Sequence, residues 1–76
     1  MIEAEEKFKI RTYTKVELAS LYNPGMAISG ALRTLARWIS GNKALVAELS
    51  RLEYNRRNHI FTPMQVKTIV VYLVEP

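Results

Sequence analysis

Arg33 and Arg37 stand four residues apart in Leu32-Arg33-Thr34-Leu35-Ala36-Arg37-Trp38-Ile39, and Arg56-Arg57 lies in the polar run Tyr54 to Asn58. A four-residue step stacks Arg33 and Arg37 on one face of a helix, with Ser29, Thr34 and Ser40 nearby. Guanidinium forks stay charged and donate hydrogen bonds without transferring protons, so their chemistry is the holding of an anionic partner.

Groups that could do covalent or acid–base chemistry are scarce. All seven acidic residues are glutamates, cysteine and aspartate are absent, and His59 is the single histidine. A thiolate site, a Ser-His-Asp triad and a His-rich zinc site are therefore excluded within one chain. Glu17 is committed to a helix cap, His59 is assigned a structural role, and no nucleophile stands with an activating base. We expect no enzyme, no metal and no cofactor.

The formal charge is +4, from 11 Lys and Arg against seven Glu in 76 residues. It is unevenly spread. Residues 1–6 carry Glu3, Glu5 and Glu6, and are expected to be flexible. Residues 7–43 carry Lys7, Lys9, Arg11, Lys15, Arg33, Arg37 and Lys43 against Glu17 alone, and the remainder is nearly balanced. Clustering of this kind points to a polyanionic partner. An acidic start is unlike a signal peptide, and the longest apolar run, Ile69 to Val74, is too short to span a bilayer. The expectation is one soluble cytoplasmic domain over 1–76, with no membrane partner.

These side chains need elements to place them. Lys7 to Tyr13 alternates, which predicts a strand with Phe8, Ile10 and Thr12 inward and Lys7, Lys9, Arg11 and Tyr13 outward. Thr14-Lys15-Val16-Glu17 spells a capping box and opens a helix over 15–22, with Leu18, Ala19 and Tyr22 inward. Asn23-Pro24-Gly25 ends it, Asn23 serving as a left-handed cap. A second helix is predicted over 27–40, with Ile28, Ala31, Leu32, Leu35 and Ile39 as its buried stripe and Trp38 at the stripe's border. Gly30 is a weak point there: either the helix starts later, or another backbone approaches. Gly41-Asn42 closes that helix, and Asn42 caps a third over 43–52 that buries Leu45, Leu49 and Leu52. His59-Ile60-Phe61 is the second strand, expected to pair with residues 7–12 and to set Ile60 or Phe61 beside Phe8 and Ile10. Thr62-Pro63-Met64-Gln65 starts the last helix, 63 to 73 or 74, with Val66, Ile69, Val70 and Leu73 inward.

That order resembles the helix-turn-helix with a wing of MerR- and excisionase-like DNA-binding domains. Thr14 to Tyr22 is similar to their Thr-x-x-Glu-Leu-Ala helix. Leu32 to Ile39 is similar to the Leu-Arg-x-Trp helix that enters the major groove, and Phe61 to Val66 to the junction after the wing. Two departures stand out: Asn23 occupies the usual glycine position of the turn, and the helix over 43–52 is additional. A closer resemblance, from end to end, is to small proteins of unknown function from gut Bacteroidales. It is carried by Lys9 to Tyr13, Glu17 to Tyr22, Arg37-Trp38-Ile39, Asn55 to Val66 and Glu75-Pro76. Val74 stands where that family is expected to carry Gly, so the last helix is expected to fray later here.

The resemblance implies a mainly α fold with a small β-sheet, winged helix-turn-helix-like, of about four helices and two short antiparallel strands. It implies a small DNA-binding protein, a transcriptional regulator or an excisionase-like factor, with helix 27–40 in the major groove and a wing near 55–60. Ser29, Arg33, Thr34, Arg37, Arg56, Arg57 and Lys15 are the candidate contacts to double-stranded DNA. A chain this small is expected to act as a homodimer or beside a larger protein partner. The alternative is a protein-interaction adaptor on the same fold. Convergence of the four arginines would favour DNA; their pairing with Glu48 or Glu53, or occlusion by helix 43–52, would favour the adaptor.

Overall fold

Two capping boxes and one asparagine cap set where the helices begin. The computed structural model describes residues 8–76, so the expected flexibility of residues 1–6 lies outside the described residues. The Thr14 hydroxyl accepts from Glu17 N at 3.0 Å while the Glu17 carboxylate accepts from Thr14 N at 2.9 Å, opening α1, Lys15–Tyr22. The second helix, α2, is Ile28–Ser40, and Asn42 Oδ1 accepts from Leu45 N at 3.0 Å to open α3, Lys43–Arg51. Thr62 and Gln65 form the second box, with Pro63 at the first turn of α4, Pro63–Leu73. Each box satisfies amides that an uncapped helix start leaves without partners.

Strands β1, Tyr13–Thr14, and β2, Ile60–Phe61, pair antiparallel as Tyr13 with Phe61 and Thr14 with Ile60. The fold is mainly α, four helices with a two-stranded antiparallel sheet, in a winged-helix-like arrangement. Leu18 and Ala19 of α1, Ala31, Leu35 and Ile39 of α2, Leu45 and Leu49 of α3, Phe61, and Val66 and Ile69 of α4 share one core with Tyr13. Leu32, Val70 and Leu73 pack on its margin, as does Tyr22.

Several local expectations are corrected. The first strand is two residues long, because β2 offers only two residues between the 55–59 loop and the Thr62 cap. Its facing departs at Ile10, Thr12 and Tyr13, while Phe8 packs on the core margin and Lys9 and Arg11 are exposed as expected. Tyr13 is buried, whereas Ile10 is 46% exposed and Thr12 is also outside. Residues 8–12 curl around the Tyr13 ring instead. Phe8 stacks on it at 5.3 Å, the Arg11 guanidinium lies 3.8 Å from its centroid, and its hydroxyl donates to Lys9 O at 2.8 Å. Phe61 pairs with Tyr13, not with Phe8 or Ile10, and His59 precedes the strand, contributing its carbonyl to Lys15 N at 2.9 Å.

Ile28 has the right helical angle for the α2 stripe, but it sits on the first turn and overhangs the core, 57% exposed. Asn23 is not left-handed: it is buried at φ −133°, and its side-chain amide donates to Ala19 O at 3.2 Å. Gly25, at φ +82°, takes the conformation that favours glycine. At Gly30 the close neighbour is a side chain, since a Cβ there would meet Met26 Cγ at 3.3 Å. The last helix stops at Leu73, and Val74 itself adopts φ +64°.

Candidate nucleic-acid interface

The arginines of α2 project from the side that faces α3. Arg33, Ala36, Arg37 and Ser40 form one wall of an open hollow of about 1350 Å³, and Val46, Leu49 and Ser50 of α3 form another. Residues 54–57 complete it, contributing Arg56 and Arg57. All four guanidinium-bearing residues singled out from the sequence thus line one concavity, and among the described residues no carboxylate-bearing one lines it. Among the described residues the ion pair is Arg51 with Glu48, 3.4 Å apart on the exposed side of α3. Glu48 is therefore matched by its own helix and not by the hollow. Helix α3 flanks the arginine face of α2, and the side chains it brings there are uncharged.

The loop carrying Arg56 and Arg57 has a defined local geometry. Helix α3 ends in a paired cap: Glu53 N donates to Ser50 O at 3.0 Å and Tyr54 N to Leu49 O at 2.9 Å, with Glu53 at φ +63°. This is the six-to-one and five-to-two pattern that glycine most often supports. Asn55 then folds the tip, its side-chain oxygen accepting from Arg57 N and its carbonyl from Asn58 N, both at 2.8 Å. Lys15 holds the loop from the other side. Its Nζ donates to Arg56 O at 2.5 Å and stands 5.1 Å from the Tyr54 ring centroid. The Tyr54 ring stacks on Phe61 at 5.2 Å, which links the loop to the sheet and the core.

The other predicted contacts are not gathered here. Ser29 is exposed in the first turn of α2, away from the hollow. The Thr34 hydroxyl lies 3.7 Å from Met26 Sδ, and Lys15 spends its ammonium on Arg56 and Tyr54. Ser50 and Asn55 line the hollow without having been singled out. Ser50 carries no distinguishing signal, since its place depends on how α3 packs; Asn55 beside two arginines in a turn-rich run is a weak one. Trp38, expected at the border of the buried stripe, is 42% exposed and stands edge-on at 6.2 Å to Tyr22, which packs on the core margin.

Among the described residues, no group of three or more His, Cys, Asp or Glu is placed to hold a metal ion, and no helix is long and apolar enough to cross a membrane. Residues 9–76 match the family described as a domain of unknown function, DUF4248. The chain belongs to that family. The DUF4248 match takes in all six elements and every residue of the arginine-lined hollow. No curated protein and no solved structure matches the chain.

Proposed function

We propose that this DUF4248 chain is a small cytoplasmic DNA-binding protein, a transcriptional regulator or an excisionase-like factor, acting as one domain. It sets α2 toward the major groove of duplex DNA with the loop near 55–60 as its wing, as in the MerR- and excisionase-like domains that its sequence resembles. The observation that carries this reading is the convergence of Arg33, Arg37, Arg56 and Arg57 on one concavity that no described carboxylate faces. Four cations held together in this way attract a polyanion and release its counterions on contact. Pairing of Glu48 with Arg51 leaves these arginines to an external partner, which favours DNA over an adaptor that neutralises its own charge. A monomer with so few phosphate contacts binds weakly, so the functional form is a homodimer or a complex with a larger protein, and the Bacteroidales relationship belongs to the same reading.

The test is a titration with duplex DNA at several salt concentrations. Binding is expected to weaken steeply as salt rises, and to weaken further in the Arg33→Ala/Arg37→Ala double variant. Absence of binding to any duplex at about 50 mM salt, where electrostatic attraction is strong, would sink the proposal.

A further inference from the structure

The arginines meet in a hollow and not on a ridge, and that shape restricts what they can hold. A side chain that reads a base edge projects outward into the groove. Arg33 and Arg37 instead share a concavity with α3 and the 54–57 loop, so the partner must present a convex, anionic surface. On duplex DNA that surface is the sugar–phosphate backbone.

The remaining lining residues narrow the chemistry further. Tyr54 is the aromatic residue of the hollow, and its ring is already engaged: Phe61 stacks on one face at 5.2 Å, and the Lys15 ammonium stands 5.1 Å from the centroid. Stacked on Phe61 and with the Lys15 ammonium over it, the ring is already occupied and is not a platform for an unstacked base. Ile39 and Leu49 are 9% and 1% exposed, so the deep floor offers little surface to a base, and the exposed apolar lining, Ala36 and Val46, is aliphatic and gives no stacking face. Ser50 and Asn55 add short neutral donors of the kind that phosphate oxygens accept, while the Ser40 hydroxyl donates to Arg37 O at 3.2 Å. Ser29 and Thr34, which would complete a base-reading face, lie off the hollow.

We infer that the hollow is a clamp for one phosphate strand, with Arg33 and Arg37 supplied by α2 and Arg56 and Arg57 by the loop, and that it is blind to base identity. This rests on the duplex-binding reading and goes beyond it, since it assigns these arginines to affinity and removes them from sequence readout.

The experiment uses the full chain and three kinds of probe. These are duplexes of unrelated sequence and equal length, a single strand with its bases, and an abasic strand of the same length and charge. Affinity is followed against salt, and the Nε–Hε resonances of the four arginines are followed by NMR. Unrelated duplexes are expected to bind within about threefold of one another. Each single Arg→Ala change should lower the magnitude of the log–log salt slope by about 0.9, whatever the sequence. The abasic strand should bind within about threefold of the base-bearing one and shift the same four resonances.

The clamp is overturned if one Arg→Ala change weakens a particular duplex tenfold more than the others. A tenfold loss of affinity for the abasic strand overturns it equally. If no duplex binds while the abasic strand shifts the four resonances, the clamp stands and the duplex reading falls. If no polyanion shifts them, both fall.

Discussion

The ammonium of Lys15 lies 2.5 Å from the carbonyl oxygen of Arg56, a contact between residues 41 apart in the chain. It ties the first turn of α1 to the loop that carries half of the arginine cluster. A cation at the start of a helix sits at the unfavourable end of the helix dipole. The Arg56 oxygen and the Tyr54 ring offset that at this position.

Lys15→Met is therefore expected to loosen the loop, with Lys15→Arg retaining most of the restraint. Hydrogen exchange of the Arg57 and Asn58 amides, both bonded to Asn55, should accelerate by about tenfold in the methionine variant, as loss of one charge-assisted hydrogen bond implies. Duplex affinity should fall while the salt slope stays unchanged. A slope reduced by about 0.9 would instead place Lys15 on a phosphate.

Among the described residues two non-glycine residues occupy left-handed or similarly restricted backbone conformations, Glu53 at φ +63° and Val74 at φ +64°. Val74 is the more strained, since a β-branched side chain fits poorly there and 70% of the residue is exposed. Val74→Gly is expected to stabilise the fold by about 1 kcal/mol, and Glu53→Gly by a similar or smaller amount, after the greater freedom of glycine in the unfolded chain is subtracted. Thermal melts would show a rise of several degrees, and a fall for either variant would contradict the backbone assignment.

Gln65 is 2% exposed and fully used. Its oxygen accepts from Thr62 N at 3.0 Å and its Nε2 donates to Leu52 O at 3.1 Å, fastening the end of α3 to the start of α4. Gln65→Ala should cost about 2–3 kcal/mol through two lost bonds and a stranded carbonyl. Gln65→Glu should be destabilised at neutral pH, where a carboxylate faces the Leu52 oxygen. Burial raises the pKa of the introduced carboxyl in the folded state above its unfolded value of about 4.3. Stability therefore returns as pH falls through the raised folded pKa, where the carboxyl is protonated and can donate, and is fully restored below about 4.3. Chemical unfolding of the variant at acid and neutral pH checks this.

The signals legible in the sequence were those confined to a few residues. Thr14 with Glu17, Thr62 with Gln65, and Asn42 with Leu45 close within one helical turn, so their spacing is enough to place them. The helical step that stacks Arg33 on Arg37 is equally local. Their meeting with Arg56 and Arg57 depends on α3 folding back beside α2, which periodicity does not encode. The alternation of residues 7–13 misled because a period of two has meaning only along a paired strand. Here β2 supplies two residues, and the burial of Tyr13 comes from the curl of Phe8 and Arg11 around its ring. Ile28 had the right angle and the wrong height on its helix.

Tyr22 gives the fold an alkaline limit. Burial, and after it the negative charge of Glu75, raises its hydroxyl from 10.0 to about 12, and the hydroxyl donates to Val74 O at 2.5 Å. The neutral phenol is thus favoured in the folded state. Its contribution is fully present below pH 10 and is lost as pH rises through about 12. Tyr22→Phe should remove this component, so the stability difference between the two proteins narrows across that window when melts are compared. Glu75→Gln should lower the Tyr22 pKa modestly, because charge is the smaller of the two causes.

The two-residue ladder between Thr14 and Ile60 closes a ring of chain that contains α1, α2 and α3. The two rungs of this seam, the Lys15 N bond to His59 O and the burial of Tyr13 and Phe61 together must offset the entropy of joining distant segments. When the seam parts, Arg56 and Arg57 drift away while the α1–α2 pair can remain assembled, and the charge density of the cluster is halved. The proposed grip on a polyanion would consequently be a property of the closed ring. A polyanion that spanned α2 and the loop would act as an external staple across the seam and strengthen it by mass action.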